Sequence, residues 1–136
     1  MIVKGLDGKE YNWKPKSADV CDEHKSRLHL NIRNLLKEIY PFDIILEEVS
    51  LPGTSKPKGK DLIADFYIPN RLLIVEAHGE QHYKYNSFFY KNKFEFAKAK
   101  KRDMDKLQWC ELNNIRVVSL SYSDKIDTWR SEIEQR

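Results

Sequence analysis

The sequence predicts an α/β domain, a mixed central sheet flanked by helices in the order α-β-β-β-α-β-α. Three observations predict it. Two apolar runs, Asp61 to Ile68 and Leu72 to Ala77, flank a Pro69-Asn70 turn, which is the pattern of a hairpin. Ahead of them, Leu28, Ile32, Leu35, Leu36 and Ile39 recur at helical spacing. After them, a long helical stretch leads to another apolar run, Ile115 to Ser121. That is the connection a crossover to a further strand requires.

Each element has its own local reason. Residues 1–21 read as an N-terminal arm, with a short hairpin around Asp7-Gly8 and then a polar linker; residues 22–136 read as the α/β core of a single domain. Asp22 to Tyr40 reads as the first helix, with Pro41 just past its end. Ile44 to Leu51 is a first strand, closed by Pro52-Gly53 and followed by a basic loop up to Lys60. Roughly Phe88 to Leu112 is a long helix with Phe96, Met104, Leu107 and Trp109 among its apolar positions, and Asn113-Asn114 caps it. Asp124 to Glu134 is a C-terminal helix.

Composition narrows the class. No apolar run approaches a membrane span, and the N-terminus lacks the apolar stretch of a secretory signal, so an intracellular protein with no membrane partner is expected. Cys21 and Cys110 are too few for a disulfide framework and lack metal-site spacing, so both read as reduced. The 24 basic and 21 acidic residues nearly balance, but the lysines cluster: Lys56, Lys58 and Lys60 in one loop, and Lys84 through Arg102 in another stretch. Such clusters suit a polyanionic substrate, although most lysine runs are simply solvated helix faces.

The chemistry lies in the hairpin. Asp65 sits in one apolar run and Glu76 in the next, with His78 two residues on. Carboxylates are costly to bury unpaired, and two that converge usually share a cation. With four loop residues, Pro69 to Leu72, Asp65 and Glu76 become direct cross-strand partners, their Cβ atoms roughly 5 Å apart. His78 then follows on the face of Glu76. A one-residue slip would send the two carboxylates to opposite faces.

Three local motifs carry a likeness to a known family. They are Ala64-Asp65-Phe66 with Leu73-Ile74-Val75-Glu76, then Ala77-His78-Gly79-Glu80-Gln81-His82, then Lys101-Arg102-Asp103 ahead of Trp109. Together, over roughly Ser26 to Leu120, they resemble the PD-(D/E)XK nuclease superfamily. The nearest branch is that of the very-short-patch repair (Vsr-like) endonucleases and the EDxHD homing endonucleases. The resemblance implies a restriction-endonuclease-like core and a metal-dependent DNA endonuclease or nickase, encoded by a phage and acting in the cytoplasm of a bacterial host. The family pattern has an acidic residue in the first helix, where alignment on Ile32 and Leu36 puts His29; Glu38 or Glu48 could supply that carboxylate instead. The usual lysine of Glu-x-Lys is here His78.

In that reading Asp65 and Glu76 hold Mg²⁺, with Mn²⁺ as a substitute, since Mg²⁺ takes oxygen ligands and keeps several waters. His78 moves a proton on the attacking water or departing oxygen, and His82 is the second candidate. Gln81 orients a water or phosphate, and Asp103 holds a histidine or supports the metal. Lys60, Lys100 and Arg102 contact the DNA backbone. Two other classes compete. One is a non-catalytic DNA-binding or interaction module on a degenerate nuclease fold. The other is a structural metal protein built on His24, His29, His78 and His82. No base-reading appendage is visible, so specificity would come from DNA structure, a homodimer or a targeting partner protein.

Overall fold

The structure, a computed structural model, describes residues 1–18, 21–55, 59–79 and 92–135. The N-terminal hairpin pairs β1 (Ile2–Lys4) with β2 (Glu10–Asn12) around the expected Asp7-Gly8 turn, where Gly8 adopts φ 81°. A single 3-10 turn at Asp22–His24 precedes α1 (Arg27–Ile39). The expected first helix is thus cut in two, because Ser26 leaves helical geometry to act as the N-cap.

Four strands form the central sheet in the order β3-β4-β5-β6: β3 (Leu46–Ser50), β4 (Ile63–Ile68), β5 (Leu73–His78) and β6 (Arg116–Ser121). The first three run antiparallel to their neighbours, and β5 runs parallel to β6. The connection from β5 to β6 contains α2 (Lys93–Leu112), and α3 (Ile126–Glu134) ends the chain. This is the mixed α/β order expected from the apolar runs.

Alternation along the strands sorts the core into two layers. Phe66 and Ile68 of β4 and Leu73 and Val75 of β5 pack under α1 and α3, against Ile32, Leu36, Trp129 and Ile133. Tyr67 and Ile74 point the other way, toward α2 and the N-terminal hairpin, where Val3, Trp13, Trp109 and Cys110 are buried. Trp13 stacks on Tyr67 at 4.7 Å and meets Trp109 edge-on at 5.1 Å. Its indole N–H donates to the Ser50 carbonyl, and that of Trp109 to the Pro52 carbonyl. The segment expected to be an arm therefore covers one face of the sheet. Ala64 departs from the alternation: it packs with Val49 in the second layer, beside Glu48, whose backbone is left-handed at φ 54°.

The β4–β5 turn decides the site. Ile68 pairs with Leu73, so the loop is Pro69 to Leu72, the four-residue length that brings Asp65 opposite Glu76. Pro69–Arg71 forms a 3-10 turn, and Leu72 closes it in the left-handed region at φ 47°. Within α2, Trp109 and Cys110 are the buried residues; Met104 and Leu107 are exposed. Both cysteines are free thiols.

Candidate metal centre

His29 is fixed from three directions. Its backbone N–H donates to the Ser26 hydroxyl at 3.0 Å, which sets it in the first turn of α1. Its ring, 5% exposed, stacks on Phe66 with centroids 4.3 Å apart. Its Nε2 lies 2.7 Å from Glu47 Oε1. That same oxygen accepts from Lys25 Nζ at 3.2 Å and Arg33 Nε at 3.1 Å. Burial works to raise the Glu47 carboxyl, but Arg33, His29 and Lys25 together outweigh it and hold it below the usual range. Glu47 is therefore an acceptor, so His29 Nε2 carries the proton of that bond. In the neutral ring this leaves the lone pair on Nδ1, which faces Glu48 Oε1 at 3.8 Å.

The sheet supplies the carboxylates. Glu47 pairs with Phe66 and Val49 with Ala64, so Glu48 stands opposite Asp65. Phe66 pairs with Val75, so Asp65 stands opposite Glu76 on the other side. Three acids thus line up across three neighbouring strands. Beyond Phe66 and Val75 the carboxylates take the place of the backbone ladder. The Asp65 N–H donates to Glu76 Oε2 at 2.9 Å, and the Ala77 N–H donates to Asp65 Oδ2 at 2.8 Å.

Their charges are balanced unequally. Lys106, reaching from α2, places Nζ 2.9 Å from Glu76 Oε1. Burial works to lower the Lys106 pKa, but Glu76, Asp65 and Asp103 raise it overall, so this lysine stays charged. Glu47 has Lys25 and Arg33. Among the described residues, no lysine or arginine forms an ion pair with Glu48 or Asp65. Burial, and then the neighbouring Glu76 carboxylate, push Asp65 up to about 8. Glu48 thus has no lysine or arginine ion-pair partner among the described residues, while Asp65 is met by its own proton and, at longer range, by Lys106.

One ring nitrogen of His29 and one oxygen each of Glu48 and Asp65 lie within 4.8 Å of one another. Ligand atoms about 2.1 Å from an ion stand about 3 Å apart when adjacent and about 4.2 Å when opposite. The 3.8 Å between His29 Nδ1 and Glu48 Oε1 falls between those values. Neutral imidazole and two carboxylates are also the right donor chemistry for a divalent cation, so the residues fit one. His29 and Glu48 join the cluster with Asp65, while Glu76 lies one strand over and is held by Lys106. Glu38 is not part of this cluster and pairs with Arg130 of α3 at 2.8 Å.

The remaining expected residues divide as follows. His78 ends β5 two residues beyond Glu76, on the same side of the strand. Asp103 sits one helical turn before Lys106 and acts on its charge. Gln81 and His82 lie outside the described residues, as does the side chain of His24. Lys60 and Arg102 line one cleft of about 270 Å³ together with Lys98, Lys101 and Asp105. Lys100 lies elsewhere on α2, over the Phe96 ring at 5.6 Å. Two contributors had no signal in the sequence. Lys106 is one lysine among many on α2, and Glu47 reads as an ordinary strand residue.

Comparison with known proteins adds two viral relatives. The chain is 39% identical over 75 residues to "Uncharacterized protein 307L" of Invertebrate iridescent virus 6, which covers 54% of this chain and 38% of that protein. It is 34% identical over 68 residues to "Uncharacterized protein 033L" of Invertebrate iridescent virus 3, covering 50% of this chain and 35% of that protein. The match thus spans little more than a third of each relative's length. No family model matches the chain, and no solved structure does. No helix among the described residues is long and apolar enough to cross a membrane.

Two consequences follow from the charge imbalance. Because the folded state holds a proton on Asp65 that the unfolded chain releases nearer 3.8, it binds more protons between those values. Metal-free stability should therefore fall as pH rises from about 4 to about 8. Asp65→Asn should flatten this dependence, so that the variant melts above wild type at pH 8 in EDTA, as measured by calorimetry. Glu48→Gly should melt within about 1 kcal/mol of wild type, since relief of the left-handed backbone offsets the entropy cost of glycine. The same variant should lose at least ten-fold in divalent-ion affinity by titration calorimetry, which separates the carboxylate's binding role from any support of the fold.

Proposed function

We propose that the chain is a metal-dependent endodeoxyribonuclease with a PD-(D/E)XK-type core, which nicks DNA at the His29, Glu48, Asp65 and Glu76 centre. The observation that carries this reading is the line of Glu48, Asp65 and Glu76 across three strands, with a ring nitrogen of His29 within 4.8 Å of Glu48 and Asp65 oxygens. The helix–three strands–helix–strand order around it supports the same reading.

His29, Glu48 and Asp65 would hold the divalent ion, with Glu76 beside them. When bound, the ion polarises a phosphoryl oxygen and makes a nearby water more acidic. Lys106, fixed on Glu76 at 2.9 Å, would stabilise negative charge that develops on the phosphate. His78 would take or return the proton of the reacting oxygen, with Gln81 and His82 just beyond it in the chain. Asp103 would keep Lys106 charged and oriented.

Among its described lining residues the cleft has Lys60, Lys98, Lys101 and Arg102 against Asp105, a formal excess of three positive charges. Such a cleft favours a phosphate backbone over a neutral substrate and gives affinity without reading sequence. The viral relatives suit a virus-encoded enzyme that works inside a host cell, of which a phage protein in a bacterium is one form. A single centre of this kind makes one cut, so a double-strand break would need a homodimer or a targeting partner.

Supercoiled plasmid tests the proposal. Wild type with Mg²⁺ or Mn²⁺ should produce nicked circles, and EDTA should stop it. Asp65→Ala should fall below detection. His78→Ala and Lys106→Met should each lose about 10²- to 10³-fold in rate. Retained DNA binding without cleavage, across metals and across mismatched, branched and single-stranded substrates, would replace the nuclease with a binding module.

A further inference from the structure

We infer that the centre is a mixed nitrogen–oxygen site that selects a first-row transition ion, Mn²⁺ over Mg²⁺, through Nδ1 of His29. The inference rests on the metal-site part of the proposed function and does not need DNA cleavage.

A histidine free to rotate could turn away from an ion, but His29 cannot do so cheaply. Stacking on Phe66 fixes the ring plane, and Glu47 fixes which nitrogen points where. The bond from Nε2 to Glu47 is the arrangement that orients metal-binding histidines. A carboxylate takes the outer N–H, fixes the tautomer and makes the inner nitrogen a better donor. Lys25 and Arg33 hold Glu47 in turn, so the whole assembly is built before any ion arrives. The inner nitrogen faces Glu48 Oε1 at 3.8 Å, and one ring nitrogen of His29 lies within 4.8 Å of an oxygen of each of Glu48 and Asp65, neither of which has a lysine or arginine ion-pair partner among the described residues.

A buried histidine with a purely structural task would be satisfied by Glu47 and Phe66 alone. It would have no need of a second carboxylate at Nδ1, 3.8 Å away. Donor type then decides the ion. Mg²⁺ is hard, favours oxygen and is reluctant to lose water. Imidazole nitrogen adds affinity for first-row transition ions, and carboxylates suit Mn²⁺ as well as Mg²⁺. An imidazole nitrogen at a centre otherwise made of carboxylate oxygens shifts the preference toward the transition ion.

The test uses the purified full chain and the two ions themselves. Calorimetric titration should show Mn²⁺ bound at least ten-fold more tightly than Mg²⁺. Pulsed EPR of the Mn²⁺ form should show the ¹⁴N coupling of a directly bound imidazole. His29→Gln keeps a polar side chain but offers no ring nitrogen; it should bring the Mn²⁺ to Mg²⁺ affinity ratio close to one and remove the coupling. Should that variant fail to fold, as judged by its circular dichroism, Glu47→Gln serves instead. It should weaken Mn²⁺ binding about ten-fold or more while the coupling persists.

Absence of ¹⁴N coupling in wild type, or coupling and an affinity ratio that survive in folded His29→Gln, would overturn the inference. If Asp65→Ala then abolished binding of both ions, the metal centre would stand without its nitrogen ligand. No binding of either ion to wild type would overturn both. Mn²⁺ selectivity lost in His29→Gln, in a protein that cuts no DNA, would uphold the inference and reject the nuclease.

Discussion

Repulsion between carboxylates on neighbouring strands is the constraint around which this structure is arranged. Glu48, Asp65 and Glu76 stand in line across β3, β4 and β5, and Glu47 lies next to the first of them. Four acids so close would drive the strands apart unless their charge were met. Two are met by cations: Glu47 by Lys25 and Arg33, and Glu76 by Lys106. Asp65 is partly met by the Ala77 N–H and by keeping its proton. Several otherwise unrelated features serve that balance. The Ser26 cap places α1 so that Lys25, His29 and Arg33 all reach β3. The line of α2 brings Lys106 across the sheet from a helix whose only buried residues are Trp109 and Cys110, near its end.

The hairpin itself was readable from the sequence. With a four-residue loop from Pro69 to Leu72, alternation sets Asp65 opposite Glu76, and a one-residue slip would undo it. The structure has that register. The helix and strand order followed from apolar spacing for the same reason: each element buries one face, and the period of that face survives in the sequence. Boundaries were less legible. The split at Ser26 depends on a side chain capping its own helix, and residues 22–24 have enough helical character to blur the break. Ala64 breaks the alternation beside Glu48, and a left-handed glutamate leaves no pattern in the sequence.

The site was legible only along the chain, not across it. Asp65, Glu76 and His78 share a hairpin and could be found together. His29 entered as a misfit in the family pattern, and Glu48 as one of two substitutes. Tertiary packing is what joins them: Phe66 under the His29 ring, and Glu47 behind it. Lys106 could not have been singled out, because its meaning lies in an ion pair that crosses thirty residues of sequence between β5 and α2. Conversely, Lys100 looked equivalent to Arg102, yet helical rotation of two residues places it away from the basic cleft.

The most direct test of this account is anomalous scattering from crystals soaked in Mn²⁺. The account predicts one strong peak within about 2.3 Å of His29 Nδ1 and of an oxygen from each of Glu48 and Asp65, with the Nε2 bond to Glu47 intact. A peak between Asp65 and Glu76 that leaves His29 outside bonding distance would contradict it. So would a fully soaked crystal with no peak at the centre.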